Sequence, residues 1–412
     1  MGYLLGAPPP GTGAGRMTEA SPILRRWVAV NRVDQQPAYL DSIVGFAIDS
    51  PRVGDRTYGQ GVEINGWVLA HEPSLQGVRT VFNGVAGAIH RLDVRRPDVA
   101  ADYDAVAHAE DAGFSFWVPF GDSEGAWHIA VDAVLAGGVV VQLAELRGTT
   151  GSEERIVPPG LRQLPAPDFV IIGAQRGGTT SLHTYLSAHP QIQTAPTKEL
   201  HYFTDRFARG RDWYLGQFPR DLPAGTLTGE ASPYALFHPL APRRLHETAP
   251  EAKLIVLLRN PIDRAYSHYL LERARGDEPF DFSSALDAEA VRLAGEEAAL
   301  MANPDYHSDP HKHFSYVARG DYASQLERWF ALFPSRQLLI LRSEDFYART
   351  AGSLARVEAF LEIAPGTDVP YVAHNRSDGP ALAPAIRDRL GEHFAPRNAR
   401  LAELLGWDPG WD

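Results

Sequence analysis

Asp168-Phe-Val-Ile-Ile-Gly-Ala-Gln-Arg-Gly-Gly-Thr-Thr-Ser-Leu182 decides the fold of this chain. Phe169 to Ile172 is a short, nearly all-apolar run rich in β-branched residues, the pattern of a strand buried on both faces of a parallel sheet. Gly173, Gly177 and Gly178 then let the backbone turn tightly and approach a ligand. Thr179, Thr180 and Ser181 open a helix whose apolar face continues at Leu182, Tyr185 and Leu186. A strand, a glycine-rich turn and a helix start in that order aim free N–H groups at one point, which suits an anion.

The spacing is that of the Walker A pattern with one failure. Gly173, Gly178 and Thr180 fit, but Thr179 stands where a nucleoside triphosphatase has the lysine that serves the β- and γ-phosphates. The cation sits inside the loop instead, as Arg176, which suits a ligand with a short 5′ end.

Working outward, the chain has 412 residues, enough for two domains. A net charge of -12 argues against nucleic acid or an anionic membrane as partner, and disfavours a highly sulfated polymer unless a local basic cleft overrides the average. No cysteine is present, which excludes disulfides and thiolate-bound metal and fits a cytoplasmic location. Residues 1–33 read as a flexible Gly/Pro/Ala-rich tail without a signal-peptide core, and no apolar run is long enough for a membrane helix.

Residues 34–150 show period-two patterning with frequent turn residues, the signature of an antiparallel β domain of about seven strands packed as a sandwich. Asn83-Gly84 marks one hairpin and Gly137-Gly138 another. Trp67, Trp117 and Trp127 read first as core, with a carbohydrate-stacking platform as the alternative. Residues 151–166 read as a linker, and 167–412 alternate strands with helices, an α/β fold with a central, largely parallel sheet.

The second informative stretch is Lys253-Leu-Ile-Val-Leu-Leu-Arg-Asn-Pro-Ile-Asp-Arg-Ala-Tyr-Ser-His-Tyr269. Leu254 to Leu258 is a buried strand, Asn260 an N-cap and Pro261 the first helical residue. Arg259 leaves the carboxyl end of that strand, where a Walker B strand would carry a magnesium-binding aspartate. In open α/β sheets ligands sit beyond these strand ends, so Arg259 and the glycine turn are expected to share one crevice holding a nucleotide with two separate anionic groups.

Gly173 to Ser181, then Lys198-Glu-Leu-His-Tyr-Phe203, then Arg259 to Ser267 closely resemble the sulfotransferases that use 3′-phosphoadenosine 5′-phosphosulfate (PAPS), nearest the heparan-sulfate-type branch and its bacterial relatives. The resemblance implies a P-loop-like fold from about residue 167 onward. It implies that Arg176, Gly177, Gly178, Thr179, Thr180 and Ser181 hold the 5′-phosphosulfate and that Arg259 and Ser267 hold the 3′-phosphate. Glu199 takes the place of the catalytic base beside Lys198 and His201, and Arg376 that of a nucleotide contact on a closing loop. Arg176 replaces a lysine common in that branch, and Ala231 replaces a lysine used there on the glycan, which lowers the expectation of a polyanionic acceptor.

The implied reaction moves a sulfonate to a hydroxyl or amine of a sugar, lipid or secondary metabolite. Arg176 and Lys198 serve the leaving phosphate, and no metal is required because that group carries one phosphate. His307, His311 and His313 have spacings a metal could use, but lack a regular frame and read as a lid over the acceptor. Two alternatives stand: a P-loop nucleotide kinase, disfavoured by Thr179 and Arg259, and a carbohydrate-binding protein with a non-catalytic nucleotide fold.

Overall fold

The computed structural model describes residues 23–36, 42–71, 75–92, 94–121, 124–155, 161–162, 166–219, 222–223, 225–366 and 380–411. Nine strands form the N-terminal domain: β1 (Ile23–Gln35), β2 (Ile43–Ser50), β3 (Arg56–Tyr58), β4 (Gly61–Ala70), β5 (Leu75–Phe82), β6 (Val85–His90), β7 (Gly113–Pro119), β8 (Gly125–Leu135) and β9 (Val140–Arg155). They make a six-stranded sheet in the order β3-β1-β9-β8-β5-β6 and a three-stranded sheet in the order β2-β4-β7. Val28, Ile129 and Leu146 of the first sheet and Ile64 and Phe116 of the second share one apolar core, so the expected sandwich is present.

Asn83 and Gly84 both take positive φ, 46° and 87°, at the β5–β6 turn, as a two-residue hairpin with right-twisted strands requires.

Two expectations need correction. The tail was expected to run to residue 33, but residues 23–35 are β1, paired antiparallel with β9 from Ile23↔Arg155 onward. The linker expected over 151–166 begins later, because β9 continues to Arg155, and Leu161–Arg162 forms a short strand β10. The tryptophans form no platform. Trp127 is core, Trp67 leans on Tyr103 with ring centroids 5.4 Å apart, and Trp117 lies under Arg209 at the junction with the second domain.

That junction has a defined chemistry. The Arg209 guanidinium is bonded to the Glu63 carboxylate of β4 and sits 5.2 Å from the Trp117 ring and 4.6 Å from the Trp213 ring. Arg95 Nη1 donates to the Arg275 carbonyl at 2.9 Å, at the end of a helix that reaches the candidate site.

The second domain adds β11 (Phe169–Gly173), β12 (Ile192–Thr194), β13 (Leu222–Pro223), β14 (Leu227–Ala231), β15 (Lys253–Leu258) and β16 (Leu338–Arg342). β13 pairs with β10. The other five form one sheet in the order β12-β14-β11-β15-β16, with all its pairings parallel. β11 is buried along its whole length and central, and helices cover both faces. The helix Pro261–Arg275 starts as its sequence requires: Asn260 Oδ1 accepts from the Ile262 and Asp263 amides, and proline occupies the first turn.

Candidate active site

Every strand of the parallel sheet delivers its functional group at its carboxyl end. β11 runs into the glycine turn and the helix Thr179–Ser187. β15 runs into Arg259, whose Nη1 donates to the Arg176 carbonyl at 3.2 Å, so the two motifs do face one crevice. Arg176 Nε in turn donates to Ser267 Oγ at 2.9 Å, joining the loop to the helix Pro261–Arg275. Arg176 has φ 69°, a region that costs a non-glycine residue free energy and that recurs where the backbone is shaped for a ligand. Burial, with Arg259 and Arg275 nearby, pushes its guanidinium below the ordinary value. A half-buried cation beside two others is a seat for a multiply charged anion.

The turn is packed tightly. A Cβ at Gly177 would lie 2.4 Å from the Leu257 carbonyl, and Gly178 has φ 101° at the head of the helix. Ser343, at the end of β16, donates its hydroxyl to the Gly177 carbonyl. Thr179 and Ser181 are buried at the helix start, so the position of the missing Walker lysine is filled by a packed hydroxyl.

Lys198, Glu199 and His201 follow β12. Glu199 and His201 have φ of 63° and 53°, and the Glu199 amide donates to the Ala231 carbonyl at 3.0 Å. Burial works to raise the Glu199 carboxyl, but the Lys198 ammonium bonded to it outweighs that and holds it below the usual glutamate value. His201 Nε2 lies 3.5 Å from Glu199 Oε2, and burial pushes His201 down to about 4 despite the pull of Asp205. At neutral pH the glutamate is therefore ionised and the imidazole neutral.

Glu199 opens onto a cavity of about 220 Å³ lined also by Gln175, His201, Tyr234, Arg275, Lys312 and Arg319. Gln175 ties this cavity to the glycine turn, one residue from Arg176. Arg319 is buried and bonded to Gln175, to Ser315 Oγ at 2.7 Å and to the His311 carbonyl at 3.1 Å, with its guanidinium 4.7 Å from the Tyr234 ring.

The sequence reading missed Arg275 and Lys312, whereas Gln175 stands inside the glycine-turn motif, Tyr234 ends Gly229–Tyr234, a stretch that resembles the family's acceptor-side segment, and Arg319 lies in Tyr316–Tyr322, which resembles its Arg-Gly-x-Tyr segment. Arg275 was detectable: Arg264, Ser267, His268, Glu272 and Arg275 are polar residues at helical spacing on one stripe, and a polar stripe on a helix between two apolar ones faces a site. His183 was missed as well. Its Nε2 is buried without a hydrogen-bond partner among the described residues, and burial, aided by Lys198, pushes it down to about 4.

The three histidines do not converge, although the helix Asp309–His313 gives two of them the regular frame that the sequence was read as lacking. His311 Nδ1 is 2.8 Å from the Tyr234 hydroxyl, His313 Nδ1 is 3.1 Å from Glu272, and His307 is 4.0 Å from Asp205. Lys312 and His313 do line the 220 Å³ cavity. Glu272, Asp277 and His313 bring one ligand atom each within 4.8 Å of one another, but Glu272 already accepts from His313 and lies 3.3 Å from His268. Arg376 lies outside the described residues.

The sheet, the anion turn at its centre and the carboxylate-lined cavity beside it define a nucleotide-dependent group transferase. The sequence profile of the sulfotransferase domain matches residues 166–376, and the chain belongs to the sulfotransferase family, whose members use PAPS as sulfate donor. It is 30% identical over 282 residues to the mouse (Mus musculus) heparan sulfate glucosamine 3-O-sulfotransferase 6, covering 62% of this chain and 75% of that protein. The human (Homo sapiens) heparan sulfate glucosamine 3-O-sulfotransferase 3A1 is 28% identical over 286 residues, covering 64% of this chain and 66% of its own length. A solved sulfotransferase from Alicyclobacillus acidocaldarius matches at 30% identity and a TM-score of 0.48, over 60% of this chain and 98% of that one. Among the described residues, no helix is long and apolar enough to cross a membrane.

Proposed function

We propose that this enzyme transfers the sulfonate of PAPS to a hydroxyl of a sugar acceptor, an amine or a lipid or metabolite hydroxyl being the wider class, with Glu199 as general base. The observation that carries this is the placement of an ionised, lysine-paired glutamate on the wall of a small cavity one residue from an arginine-bearing anion turn. The fit to PAPS is supported by Gly177, whose missing Cβ lets the turn pack against the Leu257 carbonyl of β15, and by the paired arginines Arg176 and Arg259. PAPS supplies an activated sulfonate whose leaving group is a phosphate.

The protein's residues do the rest. Arg176, Gly177, Gly178, Thr179, Thr180 and Ser181 bind and orient the 5′ end, and Arg259 with Ser267 binds the 3′-phosphate. Glu199 takes the acceptor proton as the acceptor oxygen attacks in line, and Lys198 and Arg176 stabilise the charge released on the phosphate. His201, neutral, holds Glu199 in place. Arg275, Lys312 and Arg319 make the acceptor wall cationic and rich in donors, which supports a polyol or anionic sugar despite the acidic whole.

Replacing Glu199 by Gln keeps the size and the hydrogen-bonding shape but removes the base. The expected result is unchanged affinity for 3′,5′-adenosine diphosphate with transfer to a glycan panel, read by mass spectrometry as an added sulfonate, reduced at least about 100-fold. A fully active Glu199→Gln variant would refute the base, and magnesium-dependent tight binding of ATP would refute the donor.

A further inference from the structure

The acceptor cavity is rich in donors and poor in acceptors. Arg275, Lys312 and Arg319 can only donate, and Glu199 is the single carboxylate on its wall. Whether His313, also on that wall, adds an acceptor depends on which ring nitrogen carries its proton. That choice is made from behind the wall. His268, Glu272 and Arg275 stand at i, i+4 and i+7 of the helix Pro261–Arg275 and share one stripe. Glu272 is fully buried, so its carboxylate is no part of the cavity surface. Its Oε2 accepts from His313 Nδ1 at 3.1 Å, while His268 Nε2 lies 3.3 Å and Arg275 Nη1 3.4 Å from its Oε1. Two of these three neighbours, His313 and Arg275, line the cavity.

The contact fixes a tautomer. Burial works to raise the Glu272 carboxyl, but the bonds from His268 and His313 outweigh it and hold it well below the ordinary glutamate value, so it is ionised. An ionised carboxylate can only accept, so the proton sits on His313 Nδ1 and Nε2 of the neutral ring keeps its lone pair. Nε2 has no hydrogen-bond partner among the described residues and, unlike His311 Nε2, is not sealed from solvent. The His313 side chain keeps 27% of its surface exposed, at the end of the helix Asp309–His313.

We propose that Glu272 is a positioning residue of the acceptor site, holding His313 to accept a hydrogen bond from a second acceptor hydroxyl while Glu199 serves the first. The site then takes a polyol in preference to a lone alcohol or an amine. The inference rests on the reading above that this cavity receives the acceptor. A hydroxyl that faced only donors would lose the bond it had in water, and a site built to bond a substrate hydroxyl rejects analogues lacking it.

Two-bond proton–nitrogen NMR spectra of the full chain, labelled at histidine nitrogen and saturated with 3′,5′-adenosine diphosphate at about pH 8.5, report the protonated nitrogen. The His313 signals are those lost in His313→Phe. The Nδ1–H form is expected in the parent and in Glu272→Gln, which keeps an acceptor oxygen, and is expected to be lost in Glu272→Leu. The probe polyol, methyl β-D-glucopyranoside, is expected to shift the His313 Nε2 signal saturably. In calorimetric titrations, tetrahydropyran-2-methanol, the same ring with one hydroxyl, is expected to bind the parent at least about tenfold more weakly. Methyl glucoside should weaken at least about tenfold in Glu272→Leu and His313→Phe, and stay within about threefold of the parent in Glu272→Gln. All three variants are expected to bind 3′,5′-adenosine diphosphate as the parent does, which reports that they are folded; His313→Phe and Glu272→Gln carry the test if Glu272→Leu does not fold. An Nε2–H ring in the parent, or an Nδ1–H ring that persists in folded Glu272→Leu, overturns the positioning. Absence of a saturable shift, equal binding of the one-hydroxyl ring, or parental affinity in His313→Phe overturns the polyol site. None of these signals needs turnover, so an active Glu199→Gln variant, which refutes the base, leaves them standing.

Discussion

Gly177→Ala tests the anion turn most directly, because the structure sets its cost. The added Cβ would meet the Leu257 carbonyl at 2.4 Å and the Ala174 carbonyl at 2.9 Å, whereas ordinary contact begins at 3.4 Å. Leu257 cannot yield: its carbonyl accepts the Ala174 amide at 2.9 Å, and its strand is held between β11 and β16. The turn must therefore move by about 1 Å, a displacement of a kind that costs about 100-fold in rate when it misplaces reacting groups. The expected outcome is a folded protein destabilised by about 1–3 kcal/mol. It should bind 3′,5′-adenosine diphosphate at least about tenfold more weakly and transfer sulfonate about 100-fold more slowly than the parent. Calorimetric titration and product mass spectrometry read the two effects separately. A folded Gly177→Ala protein with parental nucleotide affinity would show that the turn does not touch the nucleotide.

Other consequences follow from packing and charge. Gly391, in the helix Pro384–Leu405 with open space around its Cβ position, is expected to become Ala with a gain of about 0.5–1 kcal/mol in denaturant unfolding and no change in transfer. Arg209→Ala strips the domain junction of its ion pair and both ring contacts, with an expected loss of about 2–3 kcal/mol, and Arg209→Lys restores less than half because the planar fork is gone; a loss under about 0.5 kcal/mol would refute a junction held there. Burial pushes His238 and His268 down to about 3 and His311 to about 2, so below pH 6.5 the unfolded chain takes up protons that the folded one refuses. Stability should then fall as the pH drops from 6.5 toward 3, by about 2 kcal/mol per such histidine at pH 5, and an unfolding midpoint that stays level from pH 7 to 5 would contradict it.

What could be read from the sequence was what local chemistry dictates. The all-apolar run of β11, the Asn260-Pro261 helix start and the Asn83-Gly84 turn each carry their signal within a few residues, and each stands where it was expected. β1 was taken for tail because its order comes from β9, whose partner residue for Ile23 is Arg155. Pairing over such a separation leaves little mark in a short window beyond Val28 and Val30 alternating with their neighbours. The site divides the same way. Arg176 and Arg259 follow strands that the sequence marks and were legible from the residues, and Glu199 through the family resemblance, while Lys312 and Arg319 reach the cavity only through tertiary folding of short helical turns in a polar stretch.

Composition speaks to the acceptor only through the average of the whole surface. A net charge of -12 describes the whole surface, but screening confines each charge to about 10 Å, so an acceptor meets only the nearby wall. That wall holds Arg275, Lys312 and Arg319 against the single carboxylate of Glu199. Ala231 had also been set against a sugar polyanion for want of a lysine side chain, yet it is fully buried at the end of β14, in register with Ile171. Its contribution comes through the backbone instead: its carbonyl takes the Glu199 amide and so fixes the residue in its left-handed conformation. Cations do reach the cavity, as Arg275 at the last turn of the helix Pro261–Arg275 and as Lys312 across from it. The charge around Glu199 is thus set by residues from distant parts of the sequence, and neither the chain's mean charge nor one missing lysine describes it.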